Sequence, residues 1–243
     1  MKERSNLLII SFTLMGMIIL SVALGNFLGG IGNYFFYQII YCVVISVCIP
    51  IYYFRKEDNG DVSLLGIKKL RFIDYAIIIG FLVFSLGGSL KSVKFQDINF
   101  ALLPLSIAPL ILTTFSEEFF FRGFLQIRFE KAFGTTSAII VSGLTFGTYH
   151  LGYPGFRSIE QITTLFFVGI MFALSFKLSK NNVIVSYFVN LPNAYLQYLL
   201  KTQQFPYINF TKQATIITIF LIVITGFIVL RGLNIKKINL KID

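Results

Sequence analysis

Carboxylates, a guanidinium, an imidazole and a row of amides interrupt long apolar runs of this chain. The first group stands in Phe115-Ser116-Glu117-Glu118-Phe119-Phe120-Phe121-Arg122. Glu118 and Arg122 are four apart, so on a helix they pair along one face. Glu117 is turned about 100° away and has no partner in that register. The second group is Gly143-Leu144-Thr145-Phe146-Gly147-Thr148-Tyr149-His150, with the chain's single histidine. Gly143, Gly147 and His150 share one stripe, and small residues at that spacing let a second helix come close. The third is Val185-Ser186-Tyr187-Phe188-Val189-Asn190-Leu191-Pro192-Asn193, with Gln197 beyond it. There Ser186, Asn190, Asn193 and Gln197 form a polar stripe at helical spacing. Pro192 frees a backbone carbonyl, which is tolerated only where other groups satisfy it.

An ionised side chain in the middle of an apolar helix costs about 2.5–3.5 kcal/mol on insertion scales, and such residues usually mark function. Two acids, an arginine, a histidine and several amides then stand on three helices of one bundle, as candidates for one functional site. Plainer readings stand beside this one. The acids and Arg122 could end a helix at the membrane interface, His150 could be a hydrogen-bonded packing residue, and the amides could be interhelical glue. If the three groups meet, a water-filled cavity opening to the cytoplasm is expected. From the span ends, at about 1.5 Å per residue, His150 lies roughly 5–8 Å deeper than Glu117. A tilt, or a break at Gly123 or Gly147, would have to close that gap.

In these residues the chain resembles the CAAX-processing and bacteriocin-processing (CPBP, or Abi) family of intramembrane proteases. Its pattern is Glu-Glu-x-x-x-Arg on one span, Phe-x-x-x-His on the next, and His-x-x-x-Asn or Asp two spans later. Glu117 through Arg122 match the first and Phe146 through His150 the second. Arg122-Gly123-Phe124-Leu125 and Leu65-Gly66-Ile67 are also similar to the family. The third motif departs, since Ser186 stands four before Asn190 where the family has a second histidine. The resemblance implies Glu117 as general base with His150 as its partner, and Asn190 as oxyanion donor, helped or not by the Ser186 hydroxyl. Glu118, Arg122, Ser186 and Phe146 would be supporting residues. It implies an endopeptidase acting on a peptide or membrane-associated protein. The alternative is a catalytically degenerate relative that binds partners such as a membrane sensor, or confers bacteriocin immunity. No cofactor is expected: zinc wants three good protein ligands plus water, and the chain offers His150 and one or two glutamates.

The elements that must hold these residues are membrane helices. Of 243 residues, 56% are apolar and only 13% charged, against about 25% charged in soluble domains. The mean hydropathy is +0.77. Twenty-eight phenylalanines exclude disorder, and two cysteines six apart in one apolar run, Cys42 and Cys48, exclude a disulfide framework. With about 20 helical residues needed per crossing, eight segments qualify: Leu7–Phe27, Tyr34–Phe54, Phe72–Leu90, Ala101–Phe121 with a continuation to about Glu130, Ser137–Leu151, Ile159–Leu178, Asn182–Leu200 and Ala214–Leu230. The expected fold is all-α, a polytopic membrane protein of about eight transmembrane helices with both termini cytoplasmic. It forms a single domain over 1–243, with the family-like core at about 65–200. On this map 16 of the 21 basic residues fall inside and five (Lys91, Lys94, Arg157, Lys201 and Lys212) outside, as the positive-inside rule requires. The net charge of +10 is then a matter of topology and anionic headgroups, and no nucleic acid partner is expected. Lys2 and Arg4 before an apolar run resemble a secretory signal. The run exceeds the usual h-region of about 7–15 residues, so an uncleaved first span is expected rather than cleavage near Ala23. Short loops and a chain rich in Lys, Asn and Phe suggest a bacterial cell membrane, where prenylated substrates are not expected.

Overall fold

The computed structural model describes residues 2–56, 65–87, 103–199 and 212–234. Among the described residues there is no strand, and eight continuous helical segments account for nearly all of them. They are α1 (Lys2–Leu28), α2 (Gly30–Lys56), α3 (Phe72–Leu86), α4 (103–133), α5 (Thr135–Tyr149), α6 (Ile159–Leu178), α7 (Val183–Leu199) and α8 (Lys212–Asn234). Each apolar segment of the sequence overlaps one of them within the described residues. Arg4–Leu28, Gly30–Lys56, Ile159–Leu178 and Thr215–Gly232 are long and apolar enough to cross a membrane, while Phe72–Leu86 and Val183–Leu196 are shorter apolar helices. Met1 and residues 57–64, 88–102, 200–211 and 235–243, and with them Lys91, Lys94, Lys201, Lys236, Lys237 and Lys241, lie outside the described residues.

Apolar side chains on the outside are the mark of a bundle solvated by lipid. Phe12, Phe27, Phe72, Phe84 and Phe220 are exposed, which in water would be an aggregation surface. Inside, aromatic rings fill the space between α2, α4, α5 and α6, with Tyr41, Phe120, Phe121, Phe124, Tyr149 and Phe172 all essentially buried.

Three close approaches set the register of the helices around the polar residues. Gly143 on α5 faces α6 so tightly that a Cβ there would come within 2.7 Å of Ile170 Cγ1 and 3.0 Å of the Phe166 carbonyl. Gly169 on α6 answers it, its own Cβ position lying 3.0 Å from Gly143 Cα. The small-residue stripe of the sequence is therefore a helix contact. Gly123 on α4 leaves room for the chain before α3, where a Cβ would meet the Leu65 carbonyl at 2.8 Å. Gly66, at φ +66°, turns that segment so that its carbonyl accepts from Val183 N at 2.7 Å at the start of α7.

The fourth helix corrects the sequence reading of depth. It runs through Phe121 to Phe133, with its hydrogen bonding widened to i→i+5 over Phe119–Gln126. Gly134, at φ +87°, then turns the chain straight into α5. Such wide turns sit frequently at functional sites. With only Gly134 between the two helices, Glu117 and Tyr149 stand nearly equal distances along the chain from the turn. His150 and Glu117 therefore stand at nearly one level and line one cavity.

Candidate active site

Glu117, on α4, is 6% exposed and both of its carboxylate oxygens are engaged. Oε1 accepts a hydrogen bond from the Tyr149 hydroxyl on α5. Oε2 accepts from Asn190 Nδ2 on α7 at 3.1 Å. The same amide nitrogen donates to Glu118 Oε1 at 2.8 Å, so Asn190 bridges the two neighbouring acids. Three helices are thus tied together at one polar point.

Glu118 forms the ion pair that its spacing predicts, with Arg122 Nη1 3.1 Å from Oε1 and both side chains fully buried. Arg122 Nη2 also donates to the Gly169 carbonyl on α6 at 2.9 Å. Its Nε has no hydrogen-bond partner among the described residues. Instead the guanidinium lies over aromatic faces, 4.9 Å from the Phe146 ring centroid and 5.4 Å from that of Phe172. A cation held against ring faces away from water gains about 2 kcal/mol or more, which gives Phe146 a supporting part as a cover for Arg122.

His150 closes α5 in a short 3₁₀ turn over His150–Gly152. Its Nδ1 is 2.8 Å from the Phe146 carbonyl oxygen. A carbonyl can only accept, so Nδ1 carries the hydrogen and Nε2 offers the lone pair. The ring packs against Tyr149, with centroids 4.0 Å apart, and against Tyr153 and Phe156.

Glu117, Tyr149, His150 and Asn190 line one cavity of about 220 Å³. Its walls also include Tyr37, Thr113, Thr114, Phe146, Tyr153, Phe156, Thr164, Phe172 and Asn193. Few polar groups converge here in a mostly apolar wall, which is the usual composition of a small-molecule or peptide site. Asn193 turns its amide back to the Val189 carbonyl at 2.7 Å, in the turn that Pro192 disturbs. Of Gln197 only the backbone is described.

Ser186 is fully buried but is not part of the cavity wall. Its hydroxyl donates to the Val183 carbonyl at 3.1 Å, and it lies beside Glu118. The position that the resemblance gives to an oxyanion donor is therefore behind the acid pair.

Tyr149 is the residue that sequence reasoning passes over. It sits next to His150 and looks like no more than a spacer in Phe-x-x-x-His. Thr113 and Thr114 escape notice as well, although they lie four and three residues before Glu117 and so share its helix face.

The cavity lies on the side of Glu117 away from Gly134. Leu110 and Thr113 precede Glu117 on α4, Asn193 and Ala194 follow Asn190 on α7, and Tyr153 and Phe156 come after α5 ends. On the other side, toward Gly134, Phe120, Phe121 and Phe124 are packed at 0–1% exposure. These rings close the route to the loops that carry most of the basic residues. At those loops the ammonium of Lys68, partly buried and flanked by Arg71, Lys177 and Lys180, is held below its ordinary pKa.

Zinc does not fit this donor set. Among the described residues no three His, Cys, Asp or Glu side chains gather as a metal site, and the cavity wall supplies only Glu117 and His150 of those types. A catalytic zinc asks for three protein ligands. Cys42 and Cys48 are both free thiols, with Cys42 Sγ buried 4.0 Å from Thr113 Oγ1.

Comparison with known proteins adds a family to this geometry. Residues 99–193 match the family described as type II CAAX prenyl endopeptidase Rce1-like. The match spans Glu117, Glu118, Arg122, Phe146, Tyr149, His150, Ser186, Asn190 and Asn193, and bears out the resemblance read from the sequence motifs. The segment similar to this endopeptidase family covers 95 of the 243 residues and is set among apolar helices able to cross a bilayer, as in a multi-pass membrane protein. No curated protein and no solved structure matches the chain significantly.

Proposed function

We propose that this Rce1-like chain is an intramembrane endopeptidase that hydrolyses a peptide bond with water activated at Glu117 and His150. The observation that carries the reading is the convergence of Glu117, His150 and Asn190, from three helices, on one cavity. Water held between the Glu117 carboxylate and His150 Nε2 loses a proton to Glu117 as its oxygen adds to the scissile carbonyl carbon. The oxygen of that carbonyl takes up the negative charge, and the Asn190 amide and Tyr149 hydroxyl, which hydrogen-bond Glu117 at rest, turn to it as Glu117 takes the proton and loses its charge. As the C–N bond breaks, the proton held on Glu117 passes to the departing amine. Glu118 and Arg122 hold the α4 turn and, through Asn190, the position of the amide.

The substrate class is a peptide or membrane-associated protein, and the setting a bacterial cell membrane. No metal is required by this chemistry. The test is cleavage of a peptide mixture by protein reconstituted in lipid nanodiscs, run in ¹⁸O-labelled water. Wild type is expected to give products with one ¹⁸O in the new carboxyl group, and Glu117→Gln none. Equal cleavage by both would overturn the assignment of Glu117.

A second reading is favoured by Ser186, which supplies no group to the cavity where the family motif has its second histidine. On that reading the chain is a degenerate relative that binds a peptide or a membrane partner, as in bacteriocin immunity or sensor regulation. Wild-type protein would then bind peptides in the nanodisc experiment without cutting them.

A further inference from the structure

We infer that the cavity at Glu117 is entered from the membrane face opposite the bundle's basic end, so that it takes peptide segments presented from outside the cytoplasm. The word substrate here rests on the endopeptidase reading above, whereas the direction of access rests on geometry alone.

The two ends of the bundle are identified by contacts between helix termini. At one end Arg55 Nη2 donates to the Arg231 carbonyl at 3.2 Å, Lys68 bonds the Lys180 carbonyl, Lys177 pairs with Glu130, and Arg4 lies 5.4 Å from the Phe133 ring. Tyr53 and Phe124, with ring centroids 5.7 Å apart, join the α2 side of this end to the α4 side. At the other end Asn26 Nδ2 reaches the Gly152 carbonyl at 3.4 Å, and Gly152 packs on the backbone of α1 at Ile19. Arg157, between Gly152 and α6, belongs to that second end. The charge asymmetry of the described loops is therefore strong, and an excess of Lys and Arg marks the cytoplasmic side.

The helices α4 and α7 line the cavity with residues on the second end's side of Glu117 and Asn190, while Phe146 and Phe172 form its inner floor. The helix α4 runs toward the basic end, and it contributes Leu110 and Thr113, which come before Glu117. The helix α7 runs away from the basic end, and it contributes Asn193 and Ala194, which come after Asn190. Thr164, near the start of α6, is exposed, and Asn193 and Ala194 are half-buried. Toward the basic end the way is shut by Phe120, Phe121, Phe124 and the fully buried Arg122. A peptide arriving from the cytoplasm would have to unpack those rings and break the Arg122–Glu118 pair. One arriving from the other side meets the carboxylate while the rings and the ion pair stay in place.

The consequence for substrate is specific. It is a peptide chain already translocated, or a membrane-anchored one whose scissile bond lies in the outer half of the bilayer, and not the soluble C-terminus of a cytoplasmic protein.

Cysteine labelling tests this without using activity. In a Cys42→Ala, Cys48→Ala background, Thr164→Cys and Ala194→Cys report the cavity, Arg157→Cys the second end and Lys69→Cys the basic end. A membrane-impermeant maleimide is applied to intact cells and to inverted vesicles. The expected result is labelling of the Thr164, Ala194 and Arg157 variants from intact cells, with the Lys69 variant labelled only in inverted vesicles. Cavity cysteines that follow Lys69→Cys, or that resist the reagent from both sides, overturn the inference. So does labelling of Lys69→Cys from outside. No substrate takes part, so a negative result leaves the Glu117 cleavage test standing, and loss of cleavage in that test leaves this one standing.

Discussion

The Tyr149 hydroxyl donates a hydrogen bond to Glu117 Oε1, joining α5 to α4 at the floor of the cavity. This contact fixes the level of the two helices and points one carboxylate oxygen, while Asn190 holds the other. A hydrogen bond to a charged group contributes about 1.5–3 kcal/mol. Tyr149→Phe keeps the ring, which packs against Phe121 and Tyr41, and removes the donor. We expect kcat/KM to fall about 10- to 100-fold by that energy, with melting temperature in detergent lowered only modestly. Unchanged kinetics would remove Tyr149 from the account.

Asn190 and Ser186 lie one turn apart on α7 but have different surroundings. Asn190→Ala takes away a donor that bridges Glu117 and Glu118, and a loss of about 10²–10³ in kcat is expected, as for other oxyanion donors. Ser186→Ala removes a hydroxyl that bonds its own helix at Val183, and activity should stay within about threefold, given the small net worth of such a bond. Steady-state cleavage by the two variants decides between them. Comparable losses would place the Ser186 hydroxyl in the reaction.

The Arg122–Glu118 pair is a structural commitment of the fold. Breaking a buried pair by removing one partner costs about 3–5 kcal/mol because the other charge is left uncompensated. Arg122→Ala should therefore lower unfolding free energy by that order in a detergent titration, and Arg122→Lys should fail to restore it. Lysine lacks the planar fork that reaches Glu118 and the Gly169 carbonyl together.

The α5–α6 contact makes a prediction independent of chemistry. Gly143→Ala puts a methyl group 2.7 Å from Ile170 Cγ1 and 3.0 Å from a backbone oxygen, and overpacking of this kind costs about 1–3 kcal/mol. Gly16→Ala on α1, where nothing lies within 4 Å of the new Cβ, is the matched control and should leave stability unchanged or slightly raised. Thermal unfolding of both variants in the same detergent reads the difference.

Much of this is legible in the sequence because membrane helices announce themselves by apolar length and because i,i+4 spacing fixes a helix face. The segments Leu7–Phe27 through Ala214–Leu230 each fall on a helix, the Glu118–Arg122 pair follows from spacing, and Gly143 and Gly147 mark a close contact. Helix boundaries are the weak point. Placing the membrane end of the fourth segment at Phe121, with a polar continuation to about Glu130, hides the shared level of Glu117 and Tyr149. The direction of the cavity is illegible for a related reason: polarity along α4 shows which residues avoid lipid, but not that Phe120, Phe121 and Phe124 pack into a plug on one side of Glu117. Tyr149 escapes notice because a tyrosine beside a histidine in an aromatic-rich segment carries no spacing signal of its own.

The central claim is that Glu117 activates water, and the peptides of the host membrane test it most directly. Wild type, Glu117→Ala and a deletion are compared at matched expression, with peptides profiled by mass spectrometry and protein level and thermal stability checked in parallel. The account predicts a processed peptide present in wild type and missing from both Glu117→Ala and the deletion, while the variant remains folded and abundant. A Glu117→Ala strain that keeps the peptide and behaves as wild type, when deletion alone gives a phenotype, would contradict it and leave a protein that acts by binding.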